Sequence, residues 1–110
     1  MENLKSIMAA IFLTVSSSVL AIPTGDKLID EIGIQGASPD EIVLTNLSGW
    51  GASGCETASV VVLGPSVSNR QAMLSLALAA KMGNKPVRFY GDCDVNSGGN
   101  RFNATYMMIK

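Results

Sequence analysis

One stretch of helical period, Asn69 to Asn84 ("NRQAMLSLALAAKMGN"), stands among runs short and β-branched enough to read as strands. A single helix at a fixed place in an otherwise β chain narrows the architectures open to it. Before the helix, "KLIDEIGIQ" places Leu28, Ile32 and Ile34 on one face at period two, with Glu31 on the other. "GASPD" turns the chain, "EIVLTNL" is a second strand, and "TASVVVLG" is a third, whose consecutive valines suit burial on both faces. After the helix come "KPVRFYGDC", with Val87, Phe89, Gly91 and Cys93 on one face, and "RFNATYMMIK". The order β-β-β-α-β-β predicts a mainly β fold, a five-stranded OB-fold barrel with its helix between the third and fourth strands.

The helix has readable ends. Ser68 with Gln71 three residues on forms a capping box, and Gly83 or Asn84 supplies a left-handed stop. At about 100° per residue, Ala72, Met73, Leu76 and Ala80 make one apolar stripe, and Leu74, Leu78 and Met82 make another on a different side. Closing one barrel end needs one stripe. The second is either covered by the protein's own loops or, as an oligomer interface through Leu74, Leu78 and Met82, meets a neighbouring subunit.

The opening "MENLKSIMAAIFLTVSSSVLA" has one lysine, an apolar core from Ile7 to Val15 and small residues up to Ala21. This is the pattern of a secretory signal peptide, with cleavage after Ala21, and its core is too short for a stable membrane anchor. Residues 1–21 are therefore expected to be a leader and 22–110 one OB-fold domain, exported to the periplasm or the medium, with no membrane span in the mature chain. A domain of that size has a marginal core. Its two cysteines, Cys55 and Cys93, fit a disulfide, worth about 4 kcal/mol on the chain-entropy model.

The chain has no histidine, which removes Ser-His-Asp, Cys-His and His-metal chemistry together. A carboxylate pair for glycoside hydrolysis is the remaining enzymatic form, but the acids fall in turns and on solvated strand faces, so the chain reads as a non-enzyme with no cofactor. Net charge is −1 and the basic residues are scattered, against a nucleic-acid partner. Asp92, Asp94 and Asn96 alternate as in the first half of a calcium loop, but Ser97 replaces the required glycine and Asn103 the bidentate glutamate, so a plain polar loop explains them and no metal is expected. "NLS" and "NAT" match the glycosylation pattern by chance.

Two polar, Gly-rich loops are the expected ligand surface. In "LSGWGASGC", Trp50 could stack on a sugar face with Asn46 and Ser48 supplying hydrogen bonds. The competing reading folds Trp50 into the core beside the disulfide, with its indole N–H bonded to backbone. The loop "DCDVNSGGNRFN" would add Asn96 and Arg101.

The leader, the first strand "DKLIDEIGI", the cysteine pair and the run "AAKMGNKPVRFYGDC" together resemble the binding subunits of AB5 toxins, in particular the subtilase cytotoxin and typhoid toxin B-subunit group, and similar small secreted bacterial proteins of unassigned role. The resemblance implies an OB-fold, assembly as a pentamer with the helices lining a pore, a glycan ligand and an enzymatic A chain as partner. This chain is shorter after its last strand than those subunits, and none of their sugar-binding residues is carried over. The alternative expectation is a small structural or inhibitory envelope protein with no sugar ligand.

Overall fold

The computed structural model describes residues 21–35 and 40–110. The leader assigned to residues 1–21 lies, apart from Ala21, outside the described residues, as does most of the turn "GASPD". The fold is mainly β with one helix, as the order of runs implies. Its strands are β1 (Ile22–Pro23), β2 (Glu31–Gln35), β3 (Glu41–Thr45), β4 (Val60–Leu63), β5 (Val87–Cys93) and β6 (Arg101–Ile109), with the helix α1 (Arg70–Met82) between β4 and β5. They form one open mixed sheet in the order β1-β5-β6-β4-β3-β2, antiparallel except where β4 runs parallel to β6.

The expected closed barrel of five strands is thus corrected to an open sheet of six. The reason lies in the first strand, which is split. Its first part pairs with β5 through Ile22↔Gly91 and Pro23↔Tyr90, and its second part pairs with β3 across five residue pairs. Between them the backbone is held from several sides: Thr24 N–H donates to the Phe89 carbonyl, Lys27 and Val87 exchange two backbone bonds, and Asp30 N–H donates to the Thr45 carbonyl. The period-two reading fails there, because Ile29 is buried while Leu28 is 41 % exposed. Segment Ile22 to Gln35 therefore supplies both edges of the sheet.

Helix α1 ends as expected. Asn84 takes the left-handed conformation (φ 54°), and the N–H groups of Lys85 and Asn84 donate to the Ala80 and Lys81 carbonyls, a Schellman stop. Its start differs from the capping box: Asn69 is the N-cap, without a side-chain cap bond. Its inward face also differs. Met73, Ala77 and Ala80 are buried and Leu74 is half-buried against the core, while Ala72 and Leu76 of the expected inward stripe are exposed. The buried face thus lies between the two expected stripes, because the helix is rolled to bring Met73 and Leu74 inward together. Of the expected interface residues, Leu78 and Met82 are exposed and Leu74 belongs to the core's edge.

The core gathers Leu44, Trp50, Val61, Leu63, Val87, Phe89 and Phe102, all fully buried, under α1. On β5 the alternation holds: Val87, Phe89 and Gly91 face inward and Arg88 and Tyr90 lie half-buried on the other face. A β-bulge shifts the β5–β6 register between Tyr90 and Gly91. Gly91 is required there, for a Cβ at this position would overlap the Asn103 carbonyl.

Candidate functional site

The disulfide joins the two expected ligand loops. Cys55 and Cys93 are bonded, with Cα atoms 5.9 Å apart, tying the Trp50 loop to the end of β5. The aromatic of that loop points inward. Trp50 is fully buried, donates its indole N–H to the Leu44 carbonyl at 3.1 Å and meets Phe89 edge to face at 5.1 Å. Gly49 and Gly51 flank it at positive φ (97° and 74°) because the loop folds tightly on itself, with Trp50 N–H donating to the Ala58 carbonyl. The sugar-stacking role given to Trp50 is therefore corrected to the core role. A buried side chain this large contributes more by filling the core than a loop tip could.

Asn46 follows Trp50 inside. It is buried, its Nδ2 donates to the Leu28 carbonyl at 2.8 Å, and its Oδ1 accepts from Ser48 N–H at 3.0 Å, so its amide is committed to holding the chain on either side. Ser48 is exposed. In the second loop Asn96 is exposed, and its backbone N–H donates to Asp94 Oδ1, which caps a short 3-10 turn over Val95–Ser97. Arg101 makes a half-buried ion pair with Glu41 at 2.6 Å, so its charge is neutralised within the fold. Among the described residues no cluster of three or more acidic or cysteine side chains could hold a metal ion.

A different constellation stands on the outer face of β5 and β6. Tyr90 and Tyr106, opposite each other in the register, stack with ring centroids 4.4 Å apart and planes 7° apart, and Tyr106 is 48 % exposed. Beside them, Arg88 forms a bidentate pair with Asp26, Nε to Oδ1 at 2.7 Å and Nη2 to Oδ2 at 3.1 Å, while its Nη1 donates to the Tyr90 hydroxyl at 3.3 Å. The hydrogen bond from Arg88 holds the Asp26 carboxyl below the usual aspartate value, and the same bond raises the guanidinium further. The result is two phenol rings and a fixed cation on the β5–β6 hairpin, beside a fixed carboxylate from the segment between β1 and β2. Such a surface offers a π-face for ring stacking next to hydrogen-bond donors and acceptors.

Tyr106 also marks the edge of a groove. Ala72, Met73 and Leu76 of α1 face Thr105, Tyr106 and Met107 of β6 across a cavity of about 340 Å³. Strand alternation places Arg88 and Tyr90 together, so half of this surface can be read from "VRFYG". The stacking across strands cannot, because it depends on the bulge-shifted register of β6.

Comparison of the chain with protein-family models, curated proteins and solved structures finds no match. The class defined by fold and site is a small disulfide-stapled β domain with an exposed aromatic and charged face. Among its described residues no helix is long and apolar enough to cross a membrane.

Proposed function

We propose that this chain is an exported, non-enzymatic binding protein, similar in role to the B subunits of AB5 toxins, that recognises a glycan on a cell surface as an oligomer. The observation that carries this reading is the Tyr90–Tyr106 stack beside the Arg88–Asp26 pair, exposed on the outer face of a stapled sheet. Aromatic faces take the C–H face of a sugar ring, and flanking hydroxyl, guanidinium and carboxylate groups take its hydroxyls. The disulfide fits an oxidising compartment and supports export past the leader, to the periplasm or the medium. The OB-type arrangement belongs to the same reading: if β1 and β2 are two halves of one interrupted strand, the sheet order becomes that of a five-stranded barrel whose first strand touches both edges. An enzymatic A chain is the partner that the resemblance implies.

One stacked ring contributes about 1 kcal/mol beyond area burial, so single-site affinity is weak and display on several copies makes it useful. A glycan array probed with the exported protein and with Tyr106→Ala tests the reading. Binding by the wild type and its loss in Tyr106→Ala is the expected result. A folded wild type that binds nothing on a broad array replaces the reading with that of a structural envelope protein, and equal binding by Tyr106→Ala moves the site elsewhere on the domain.

A further inference from the structure

The Tyr90–Tyr106 stack has one open side. The two rings are parallel and meet across neighbouring strands, so each has a second face turned away from the stack. For Tyr90 that face looks toward β1, where Pro23 lies opposite it in the register and so on the same side of the sheet. For Tyr106 it looks away from β5, past the point where β4 has ended, since β4 pairs only with Arg101 to Asn103. The exposures follow this order: Tyr90 is half-buried and Tyr106 is 48 % exposed. A ligand ring therefore meets Tyr106, and Tyr90 stands behind it as a backing ring.

What holds the backing ring comes from outside the hairpin. The Tyr90 hydroxyl accepts from Arg88 Nη1 at 3.3 Å. Arg88 stands on the same face two residues earlier, opposite Met108, and its long side chain has many rotamers to lose before it can keep that bond. Asp26 fixes it, its two carboxylate oxygens accepting from Nε and Nη2. Asp26 belongs to the segment between β1 and β2, which is itself tied to β5 by the backbone bonds of Thr24 and Lys27. A continuous line of contacts thus runs from Asp26 through Arg88 and Tyr90 to Tyr106.

The chemistry of the pair suits this line. A guanidinium is a rigid fork: with Nε and Nη2 held by one carboxylate, the direction of Nη1 is settled as well, and Nη1 is the nitrogen that reaches Tyr90. A lysine in its place would bring a point charge without the fork. The hydrogen bond from Arg88, and after it the charges of Arg88 and of Lys110 beyond β6, favour the ionised carboxylate against a desolvation effect that opposes them.

We propose that Asp26 is the positioning residue of this ligand surface: by clamping Arg88 it locks the Tyr90 ring, and Tyr90 holds Tyr106 parallel to itself with its free face presented to the ligand. The inference rests on the proposed function and deepens it. It assigns the ring contact to Tyr106 and the presentation of that ring to a residue of another segment.

Ring-proton NMR shifts of Tyr90 and Tyr106 in the exported protein test it, because protons held over a neighbouring ring are displaced upfield by its ring current. The expected results are upfield signals in the wild type, loss of most of that displacement in Asp26→Asn and in Arg88→Lys, and its recovery in Asp26→Glu, which renews the two-oxygen clamp. Glu41→Gln opens the other half-buried pair, with Arg101, and controls for general loosening; it should leave the rings unmoved, and far-UV circular dichroism checks the fold of each variant. The wild-type displacement should also fade as the pH falls below 3.8, the ordinary aspartate value, because a protonated Asp26 releases Arg88, while Asp26→Asn stays low throughout. Rings unmoved in Asp26→Asn, or moved equally in Glu41→Gln, overturn the proposal. On the glycan array Asp26→Asn is expected to bind more weakly than the wild type and Asp26→Glu to bind alike; equal binding by Asp26→Asn despite displaced rings overturns it too. An array on which the folded wild type binds nothing removes the glycan reading alone, and the ring shifts then decide the lock on Tyr106 by themselves.

Discussion

Trp50 and Phe89 meet edge to face with ring centroids 5.1 Å apart, both fully buried. This contact joins the Gly-rich loop after β3 to the middle of β5, and it places the chain's one tryptophan at the centre of the core. Trp50→Ala is expected to destabilise the fold by about 3–5 kcal/mol, from lost burial and the cavity left behind. Urea unfolding followed by circular dichroism measures this. In the wild type, blue-shifted tryptophan emission that resists quenching checks the burial directly.

Removing the disulfide should weaken the domain without changing its outer face. Cys55 and Cys93 are 38 residues apart in sequence, which corresponds to about 4 kcal/mol on the chain-entropy model. The double variant Cys55→Ala, Cys93→Ala is expected to lose about 4 kcal/mol of unfolding free energy, read as a lower urea midpoint. A midpoint equal to that of the wild type would show that the bridge adds nothing to stability.

Gly91 stands at the bulge where the β5–β6 register shifts, and the Asn103 carbonyl occupies the place a Cβ would take. Gly91→Ala should therefore cost about 1–3 kcal/mol through forced backbone movement. Because the bulge sets which residue lies opposite Tyr90, the same variant should also disturb the tyrosine stack, read as a change in near-UV circular dichroism.

The Arg88–Asp26 pair predicts a pH dependence. The Asp26 carboxyl, hydrogen-bonded by Arg88, titrates below its ordinary value of 3.8, so its contribution is fully present above that value and disappears as the pH falls through the lower folded value. Asp26→Asn is expected to be less stable than the wild type at neutral pH, with the difference closing as the pH is lowered past 3.8. Urea titrations of both proteins across that range measure it. A difference that persists unchanged into strong acid would mean that Asp26 acts by its shape and not by its charge.

Local pattern was enough for much of this protein. The apolar period of "RQAMLSLALAAKM" and the Gly-Asn stop marked α1, and the alternation in "VRFYGDC" separated Val87 and Phe89 from Arg88 and Tyr90. The even cysteine count in a small domain indicated the Cys55–Cys93 bond. These are properties of neighbours along the chain, set by backbone geometry and by solvent. Tertiary structure decided the rest. The first strand splits because Thr24, Lys27 and Asp30 bond to two different strands, which puts Ile29 inside in place of Leu28. Whether an aromatic serves core or surface was decided the same way: Trp50 is drawn in by Phe89 and the Leu44 carbonyl, whereas Tyr106 is turned out by the parity of β6 after the bulge. Such outcomes depend on strand register, and register is fixed by contacts between residues far apart in sequence, which no window along the chain contains.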